Sequence, residues 1–299
     1  MTGGVRRATL TVRVVAAMLL VASTLLLVDV AAAEYSEQQR LTQSDGTSND
    51  KFGDSVALSD DGNTAIVGVK ADNVDTGSAT VFTRSGSTWS QQQTLFKSDA
   101  SQQDKFGTSV SLSADGNTAI VGAPYDTEGG VSKRGSATVF TRSGSTWTEQ
   151  QILACSTCTN GGTGASARFG TSVALSDDGN TAIVGVALGD ESALVFTRSG
   201  STWTLQQTLS LVGNWNDNFN PRAVALSADG NTAALGDTRA GTTAEWAAAG
   251  ELMINWACDA GNVYPGAVRV VTRSGSTWTE QQSLLPTGGE ARCAFGGSV

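Results

Sequence analysis

The chain has 299 residues, with 35 glycines and only four prolines, and its 28 acidic and 19 basic side chains give a formal charge of −9. Histidine is absent, which excludes Ser-His-Asp and Cys-His catalysis and every metal site that needs an imidazole. The acidic balance also argues against a nucleic-acid partner, because phosphate recognition depends on patches of lysine and arginine.

Residues 1–33 have the pattern of a signal peptide. Three arginines precede the apolar run Val14–Val28, and Ala31–Ala33 supply the small residues that a signal peptidase needs, which predicts cleavage before Glu34. The apolar run is short for a membrane span and is followed by Asp29. We therefore expect a secreted or cell-surface protein whose mature part has no membrane span. A retained signal anchor is the alternative.

One segment recurs along the rest of the chain. Its copies are Phe52–Gly68, Phe106–Gly122 and Phe169–Gly185, followed by a degraded copy at Pro221–Gly236 and the start of a fifth at Phe295. A second block, Thr-Arg-Ser-Gly-Ser-Thr-Trp, recurs at 83–89, 141–147, 197–203 and 272–278. Self-similarity of this kind is typical of a repeat architecture.

Each repeat is predicted to form four strands, which in the first copy are Ser55–Ser59, Thr64–Gly68, Gly77–Arg84 and Trp89–Leu95. An Asp-Gly turn joins the first two strands, and a Ser-Gly-Ser turn joins the last two. A four-stranded unit cannot bury both of its faces alone, whereas identical units stacked radially can. The sequence therefore predicts an all-β propeller.

The second copy contains a literal FG…GAP motif, since it begins with Phe106-Gly107 and ends with Gly122-Ala123-Pro124. This motif resembles the FG-GAP repeat of integrin α-chain propellers, and the resemblance covers roughly residues 38–299. It implies a β-propeller of four-stranded antiparallel FG-GAP-type blades over residues 34–299. About four complete blades start near 52, 106, 169 and 221, and a partial blade starts near 295.

The resemblance also concerns the number of blades. The family typically closes with seven, so we expect the chain to be a fragment of a seven-bladed propeller. The segment Tyr35–Leu41 resembles the outermost strand of a preceding blade. A modified closure or an oligomeric ring is the alternative.

In integrin-like repeats the turn between the first two strands is an oxygen-rich calcium loop. Here the second copy keeps Asp115 and Gly116, but Ser111, Ser113 and Ala119 occupy the other ligand positions. Calcium takes about six to eight oxygens, usually including several carboxylates. The sequence thus predicts no cofactor and no metal site, with calcium binding as the alternative. The aspartates predicted to be turn residues are Asp61, Asp115, Asp178 and Asp229.

Four cysteines in an exported chain predict two disulfides. Three pairings are open. We favour Cys155–Cys158 within one loop between blades, and Cys258–Cys293 between the fourth blade and the next loop.

Binding residues in a repeat protein are expected where the repeats differ, and the most distinctive segment is the insertion at 238–265. Thr242–Glu245 resembles a capping box, and one face of the helix that follows carries Trp246, Met253 and Trp256. These three are candidate ligand-binding residues, with coverage of a blade edge as the alternative. The loops at 70–76, 124–134 and 214–220 complete the candidate surface.

The repeated tryptophan beside each Ser-Gly-Ser turn is expected to pack between its hairpin and the neighbouring blade. Its copies are Trp89, Trp147, Trp203 and Trp278.

These observations predict a non-catalytic extracellular binding or adhesion module that recognises a protein or glycan through loops on one propeller rim. One alternative is a carbohydrate-active enzyme, or a propeller accessory to a catalytic domain, since some FG-GAP-like propellers occur in carbohydrate-active proteins. Glycoside hydrolysis needs two converging carboxylates, and no pair stands out in the sequence. A structural repeat protein of a wall or matrix is the other alternative.

Overall fold

The structure is a computed structural model that describes residues 37–158, 167–187, 193–210, 222–237 and 267–284. The chain divides into two compact units, Met1–Arg40 and Leu41–Val299. In the first unit the described residues are 37–40, where Arg40 Nε lies 3.8 Å from the Glu37 carboxylate. All of the strands below belong to the second unit.

The second unit contains four antiparallel sheets of four strands, and the strands of each sheet are hydrogen-bonded in sequence order. The first sheet consists of β1 (Phe52–Leu58), β2 (Thr64–Val69), β3 (Ser78–Ser85) and β4 (Thr88–Leu95). The second consists of β5 (Ser109–Leu112), β6 (Thr118–Ala123), β7 (Ser136–Ser143) and β8 (Thr146–Ala154). The third consists of β9 (Phe169–Leu175), β10 (Thr181–Val186), β11 (Ala193–Ser199) and β12 (Thr202–Leu209). The fourth consists of β13 (Ala223–Leu226), β14 (Thr232–Asp237), β15 (Ala267–Ser274) and β16 (Thr277–Leu284).

The predicted strands are confirmed, with small differences at their ends. The first strand begins at Phe52 rather than Ser55, because Phe52 pairs with Val69 across a bulge that includes Gly53. Gly53 has φ of +89°, a backbone conformation that glycine adopts without steric cost. Between β2 and β3 lies the helical turn α1 (Asp72–Asp75), which contains residues with positive φ.

Each sheet packs its face against the next sheet along the chain. Ile66 and Val81 of the first sheet share a buried core with Val121 and Phe140 of the second. Neighbouring residues on a strand point to opposite faces, so Val67 belongs to a separate cluster on the other side of the first sheet. The first strands contact one another in the order β1, β5, β9, β13. The sheets are therefore the blades of a propeller, as predicted.

The first strand of a blade is covered by the blade before it. In β9, Val173 and Leu175 are 7% and 6% exposed, since the second blade covers them. At the same positions of β1, Val56 and Leu58 are 67% and 62% exposed. Burial of these strands thus depends on the stacking of blades and not on the fold of a single sheet.

The two glycines of the FG…GAP motif meet at the joint between blades. A Cβ on Gly122 would overlap the carbonyl oxygen of Gly170 in the next blade. The same carbonyl accepts a hydrogen bond from Ser109 Oγ at 2.9 Å. Gly68 and Gly107 repeat this close approach between the first and second blades. The motif therefore permits backbone contact between consecutive repeats, which side chains would prevent.

A second joint connects the outer strands. The Trp147 indole N–H donates to Gln92 Oε1 at 2.8 Å, and the Trp147 backbone N–H donates to Gln93 Oε1 at 2.9 Å. The same bonds link Trp203 to Gln150 and Gln151, and Trp278 to Gln206 and Gln207. All three tryptophans are 3% exposed. The prediction that they pack against a neighbouring blade is confirmed.

Candidate functional site at the loop edge of the blades

The blades have two edges with different chemistry. The turn edge carries the short turns β1–β2 and β3–β4 and their counterparts in later blades. The loop edge carries the longer β2–β3 loops and the segments that join one blade to the next. On the described part of the chain, the loop edge includes residues 70–77, 96–108, 124–135, 155–158 and 167–168.

Polar groups of the turn edge bind one another. In the first blade Asp61 Oδ1 accepts hydrogen bonds from Ser59 Oγ at 2.6 Å and from the Asn63 N–H at 2.9 Å. The other carboxylate oxygen accepts from Asn63 Nδ2 at 3.0 Å. The bond from Ser59, together with those from Asn63, lowers the pKa of Asp61 to about 2. The carboxylate is thus engaged by protein donors.

The other predicted turn aspartates have the same surroundings. Burial alone would raise the pKa of Asp115, but the hydrogen bonds from Ser113 and Asn117 outweigh it and lower the pKa. Asp178 and Asp229 lie in matching turns, and their pKa values are lowered as well. The described residues contain no group of three or more cysteine or carboxylate side chains arranged to hold a metal ion. The absence of bound calcium remains a prediction.

The turns of neighbouring blades are also linked to each other. The Asp60 N–H donates to the Ala114 carbonyl at 2.9 Å, and the Ala114 N–H donates to the Asp177 carbonyl at 3.0 Å. The repeated arginine adds to this edge, since Arg142 donates to Asn117 Oδ1 and lies 5.4 Å from the centre of the Trp147 ring. An amide and an indole, rather than a carboxylate, are therefore its main partners.

On the loop edge, backbone hydrogen bonds connect the segments between blades to the loops within blades. The Phe106 N–H donates to the Thr76 carbonyl at 3.0 Å, and the Phe169 N–H donates to the Arg134 carbonyl at 2.9 Å. The Tyr125 N–H donates to the Asp104 carbonyl at 3.2 Å. The β4–β5 and β8–β9 segments are thus each fixed to a loop between the second and third strands of the preceding blade.

A buried lysine with three aspartates forms the first charged group of this edge, here called the lysine cluster (Lys97, Asp99, Asp104 and Asp126). Lys97 Nζ lies 2.5 Å from Asp126, 2.8 Å from Asp99 and 3.9 Å from Asp104. The lysine side chain is fully buried, whereas Asp99 is half exposed. Burial alone would lower the pKa of Lys97, but the hydrogen bonds to Asp126 and Asp99 outweigh it and raise the pKa.

Asp104 differs from its neighbours in the lysine cluster. Burial raises its pKa, against the hydrogen bond from the Ser101 N–H, which lowers it. The cluster ties the β4–β5 segment to the β6–β7 loop, and its buried groups Lys97, Asp104 and Asp126 contact one another rather than solvent. It therefore positions the loops around it.

An aromatic ring surrounded by cations forms the second charged group, here called the tyrosine cluster (Tyr125, Lys105, Lys133 and Arg168). Lys105 Nζ lies 4.6 Å from the centre of the Tyr125 ring, Arg168 Cζ lies 4.9 Å from it, and Lys133 Nζ lies 5.8 Å from it. Each cation comes from a different loop, and together they concentrate positive charge on an acidic protein.

A cavity of about 500 Å³ lies in the segment before β1, lined by residues that include Gln43, Asn49 and Lys51. Its one acidic group, Asp50, accepts a hydrogen bond from Thr47 Oγ1 at 2.6 Å. This bond, with a second from the Thr47 N–H, lowers the pKa of Asp50.

The remaining predicted site residues divide into two groups. The Cys155–Cys158 disulfide is present, with its Cα atoms 5.3 Å apart, and it lies on the loop edge next to β8. The predicted loops 70–76 and 124–134 are also on this edge. The following predicted residues lie outside the described ranges: Cys258, Cys293, Trp246, Met253, Trp256 and the loop 214–220.

Both charged clusters were missed by the sequence reasoning, although a signal exists. A basic residue precedes the Phe-Gly pair of each of the first three copies, at Lys51, Lys105 and Arg168. In the first two copies this residue follows an aspartate, Asp50 or Asp104. The recurrence marks one position of the loop edge, but only the structure shows that Tyr125 lies beside it.

Comparisons with known proteins agree with this architecture. A sequence model of the FG-GAP repeat matches residues 35–82 and 89–140. Among curated proteins, no sequence matches the chain significantly. Within the described ranges, no helix has the length and apolarity to cross a membrane.

Several solved structures superpose on the chain. A periplasmic gluconolactonase from Pseudomonas aeruginosa has a TM-score of 0.52 at 18% identity, covering 86% of this chain and 62% of that one. Hydrazine synthase from Kuenenia stuttgartiensis has a TM-score of 0.49 at 13% identity, covering 84% of this chain and 53% of that one. This chain therefore spans less than two thirds of the length of either structure. The likeness to the gluconolactonase shows a shared fold.

Proposed function

We propose that this FG-GAP repeat protein is a non-catalytic extracellular binding module that recognises a glycan or protein through the loop edge of its blades. The observation that carries the proposal is the contrast between the two edges. On the turn edge the repeated serine, aspartate and asparagine side chains bind one another. On the loop edge, Lys105, Lys133 and Arg168 converge on Tyr125 from three different loops. Loops on a rigid scaffold are the usual place for recognition.

Export of the protein is part of the same proposal. The signal-peptide pattern of residues 1–33 supports it, as does the predicted Cys155–Cys158 disulfide, which the structure contains. FG-GAP repeats also typically occur in extracellular proteins.

The buried charged side chains favour binding over catalysis, because they contact one another. On the described loop edge, the lysine cluster is the one place where several ionisable side chains are buried together. Lys97 is fully buried there and contacts the carboxylates of the cluster. A catalytic acid or base has to reach a substrate, usually at hydrogen-bonding distance. The likeness to a gluconolactonase concerns the fold, and a shared fold does not imply a shared activity. We therefore expect no lactone hydrolysis, and an assay for it tests the proposal.

A binding panel with two matched variants tests the proposal. The panel contains neutral and acidic polysaccharides and purified extracellular matrix proteins. The loop-edge variant replaces residues 127–132 with a Gly-Ser linker of equal length. The turn-edge variant carries Ser87→Glu and Ser145→Glu at two exposed hairpin positions.

We expect the protein to bind at least one member of the panel, the loop-edge variant to lose that binding, and the turn-edge variant to retain it. Circular dichroism of both variants shows whether the β fold is kept. Turnover of a sugar lactone by the wild-type protein, or binding that only the turn-edge variant loses, would overturn the proposal.

A further inference from the structure

We propose that the tyrosine cluster binds the carboxylate or sulfate groups of an acidic polysaccharide. The inference rests on the proposed function, because it names a ligand class for the same loop edge. Its basis is the convergence of Lys105, Lys133 and Arg168 on Tyr125.

The positive charge of the cluster is not balanced by neighbouring carboxylates. Since all three cations lie close to one ring centre, any two are within roughly 11 Å of each other, comparable with the Debye length of about 8–10 Å. Within the described ranges, none of them forms an ion pair with a carboxylate. The aspartates nearest in sequence, Asp104 and Asp126, instead contact Lys97.

The Arg168 guanidinium also has an unused donor. Among the described residues, its buried Nε atom has no hydrogen-bond partner. Buried donors without an acceptor are uncommon in folded proteins and call for a physical reason. Among the described residues no carboxylate forms an ion pair with this guanidinium. Its positive charge is therefore available to an anion from solution.

The cations are held in place before any ligand arrives. The Lys105 N–H donates to the Asp75 carbonyl at 2.9 Å, and the Arg168 N–H donates to the Lys133 carbonyl at 3.1 Å. The π-face of the Tyr125 ring attracts the cations and partly offsets their mutual repulsion. Because the loops are fixed, binding does not require them to become ordered, and this favours affinity.

A polysaccharide fits these features better than a protein partner. Cores of protein interfaces are apolar and rich in aromatic groups. In the tyrosine cluster the aromatic group is Tyr125, and three cations already surround its ring. The adjoining loop is polar, with Thr127 and Ser132 among its residues. Closely spaced anions on a hydrophilic chain would match this surface.

Charge-matched variants test the inference. The cluster variant carries Lys105→Gln and Lys133→Gln, and the control carries Arg84→Gln and Arg198→Gln. The control removes the same charge, and both of its residues lie beside the turns of the turn edge. Polygalacturonate, dextran sulfate, neutral dextran and poly-glutamate are titrated against the wild-type protein and both variants. Thermal unfolding of each variant shows whether its fold is intact.

We expect the wild type to bind polygalacturonate or dextran sulfate and the affinity to fall as salt is added. The cluster variant should lose at least about tenfold in affinity, the size expected for one lost charge-assisted hydrogen bond, and the control should stay within about twofold. Tyr125→Leu, which removes the ring but no charge, should weaken binding less than the cluster variant does.

Three outcomes would overturn the inference. Binding of neutral dextran or a matrix protein with no binding of either acidic polysaccharide would do so while leaving the proposed function standing. Binding of poly-glutamate without either polysaccharide would assign the cluster to an acidic protein partner instead. Equal loss of affinity in the cluster and control variants would show a general charge effect. If none of these probes binds and no member of the binding panel described under the proposed function binds either, the proposed function itself fails.

Discussion

Trp147 and Gln92 are 55 residues apart in sequence, yet the Trp147 indole N–H donates to the Gln92 side-chain oxygen at 2.8 Å. The bond joins the outermost strands of two neighbouring blades, and it recurs at Trp203 and Trp278. The repeated tryptophan and the repeated Gln-Gln pair are therefore two halves of one joint. Their recurrence in the sequence follows from the recurrence of the joint in the fold.

Replacing Trp147 with Phe should lower the free energy of unfolding, because it removes the indole donor and leaves the Gln92 oxygen unsatisfied. Combined with Gln92→Ala in a double-mutant cycle, the two changes should show a coupling of about 0.5–1.5 kcal/mol, typical of a hydrogen bond. Urea unfolding measures it. Strictly additive effects would mean that this bond does not stabilise the joint.

The FG…GAP glycines lead to a second prediction. Gly122→Ala should destabilise the protein by about 1–3 kcal/mol or more, because the new methyl group would overlap the Gly170 backbone of the next blade. Gly144→Ala is the matched control. Its φ is +62° and nothing lies within 4 Å of a Cβ at that position, so it should cost only about 1–2 kcal/mol of backbone strain. A larger loss of thermal stability in Gly144→Ala would contradict this account of the motif.

The lysine cluster should stabilise the loop edge. Lys97→Met leaves Asp104 and Asp126 buried without their cation, which should cost about 3–5 kcal/mol. Asp99 is half exposed, so Asp99→Asn should cost less than about 1 kcal/mol. Chemical denaturation compares the two variants. If Lys97→Met were as stable as the wild type, the cluster would not hold the loops together.

The turn aspartates should make the protein less stable in acid. The folded-state pKa of Asp61 is about 2 against a usual value of 3.8, so between about pH 4 and pH 2 the unfolded chain binds more protons than the native one. The pKa values of Asp115, Asp178 and Asp229 are lowered too, and stability should fall as pH decreases through this window.

Asp104 acts in the opposite direction. Burial raises its pKa, so its negative charge lowers the stability of the folded protein at neutral pH.

Replacing all four turn aspartates with Asn tests their contribution. This variant should lose part of the stability at pH 6 and show a weaker pH dependence, because it lacks the carboxylates whose pKa values are lowered in the folded state. Melting temperatures between pH 2 and pH 6 measure both effects. An unchanged pH dependence in this variant would show that other carboxylates govern acid unfolding.

Much of the fold could be predicted from the sequence because the repeat encodes each blade locally. The Asp-Gly and Ser-Gly-Ser turns determine where the strands reverse, and alternation at positions such as Ile66 and Val67 determines which face is buried against which blade. The disulfide between Cys155 and Cys158 was predictable because the two cysteines are only three positions apart along the chain.

The candidate site was less predictable because its residues come from loops that differ between repeats. Lys97 and Asp126 are 29 residues apart, and their loops are brought together by the backbone bond from Tyr125 to Asp104. The tyrosine cluster depends on the same arrangement, because Lys133 and Arg168 lie on separate segments joined by a backbone hydrogen bond. The sequence of a single loop does not reveal contacts with a loop of a different segment. The regular turns were predictable because they depend only on residues that are neighbours along the chain.

The central claim is that recognition takes place on the loop edge, and the binding panel with edge-specific variants tests it most directly. The account predicts that the protein binds a polysaccharide or a matrix protein, that replacing residues 127–132 abolishes this binding, and that Ser87→Glu with Ser145→Glu leaves it unchanged. Loss of binding in the turn-edge variant, with full binding retained by the loop-edge variant, would contradict the account.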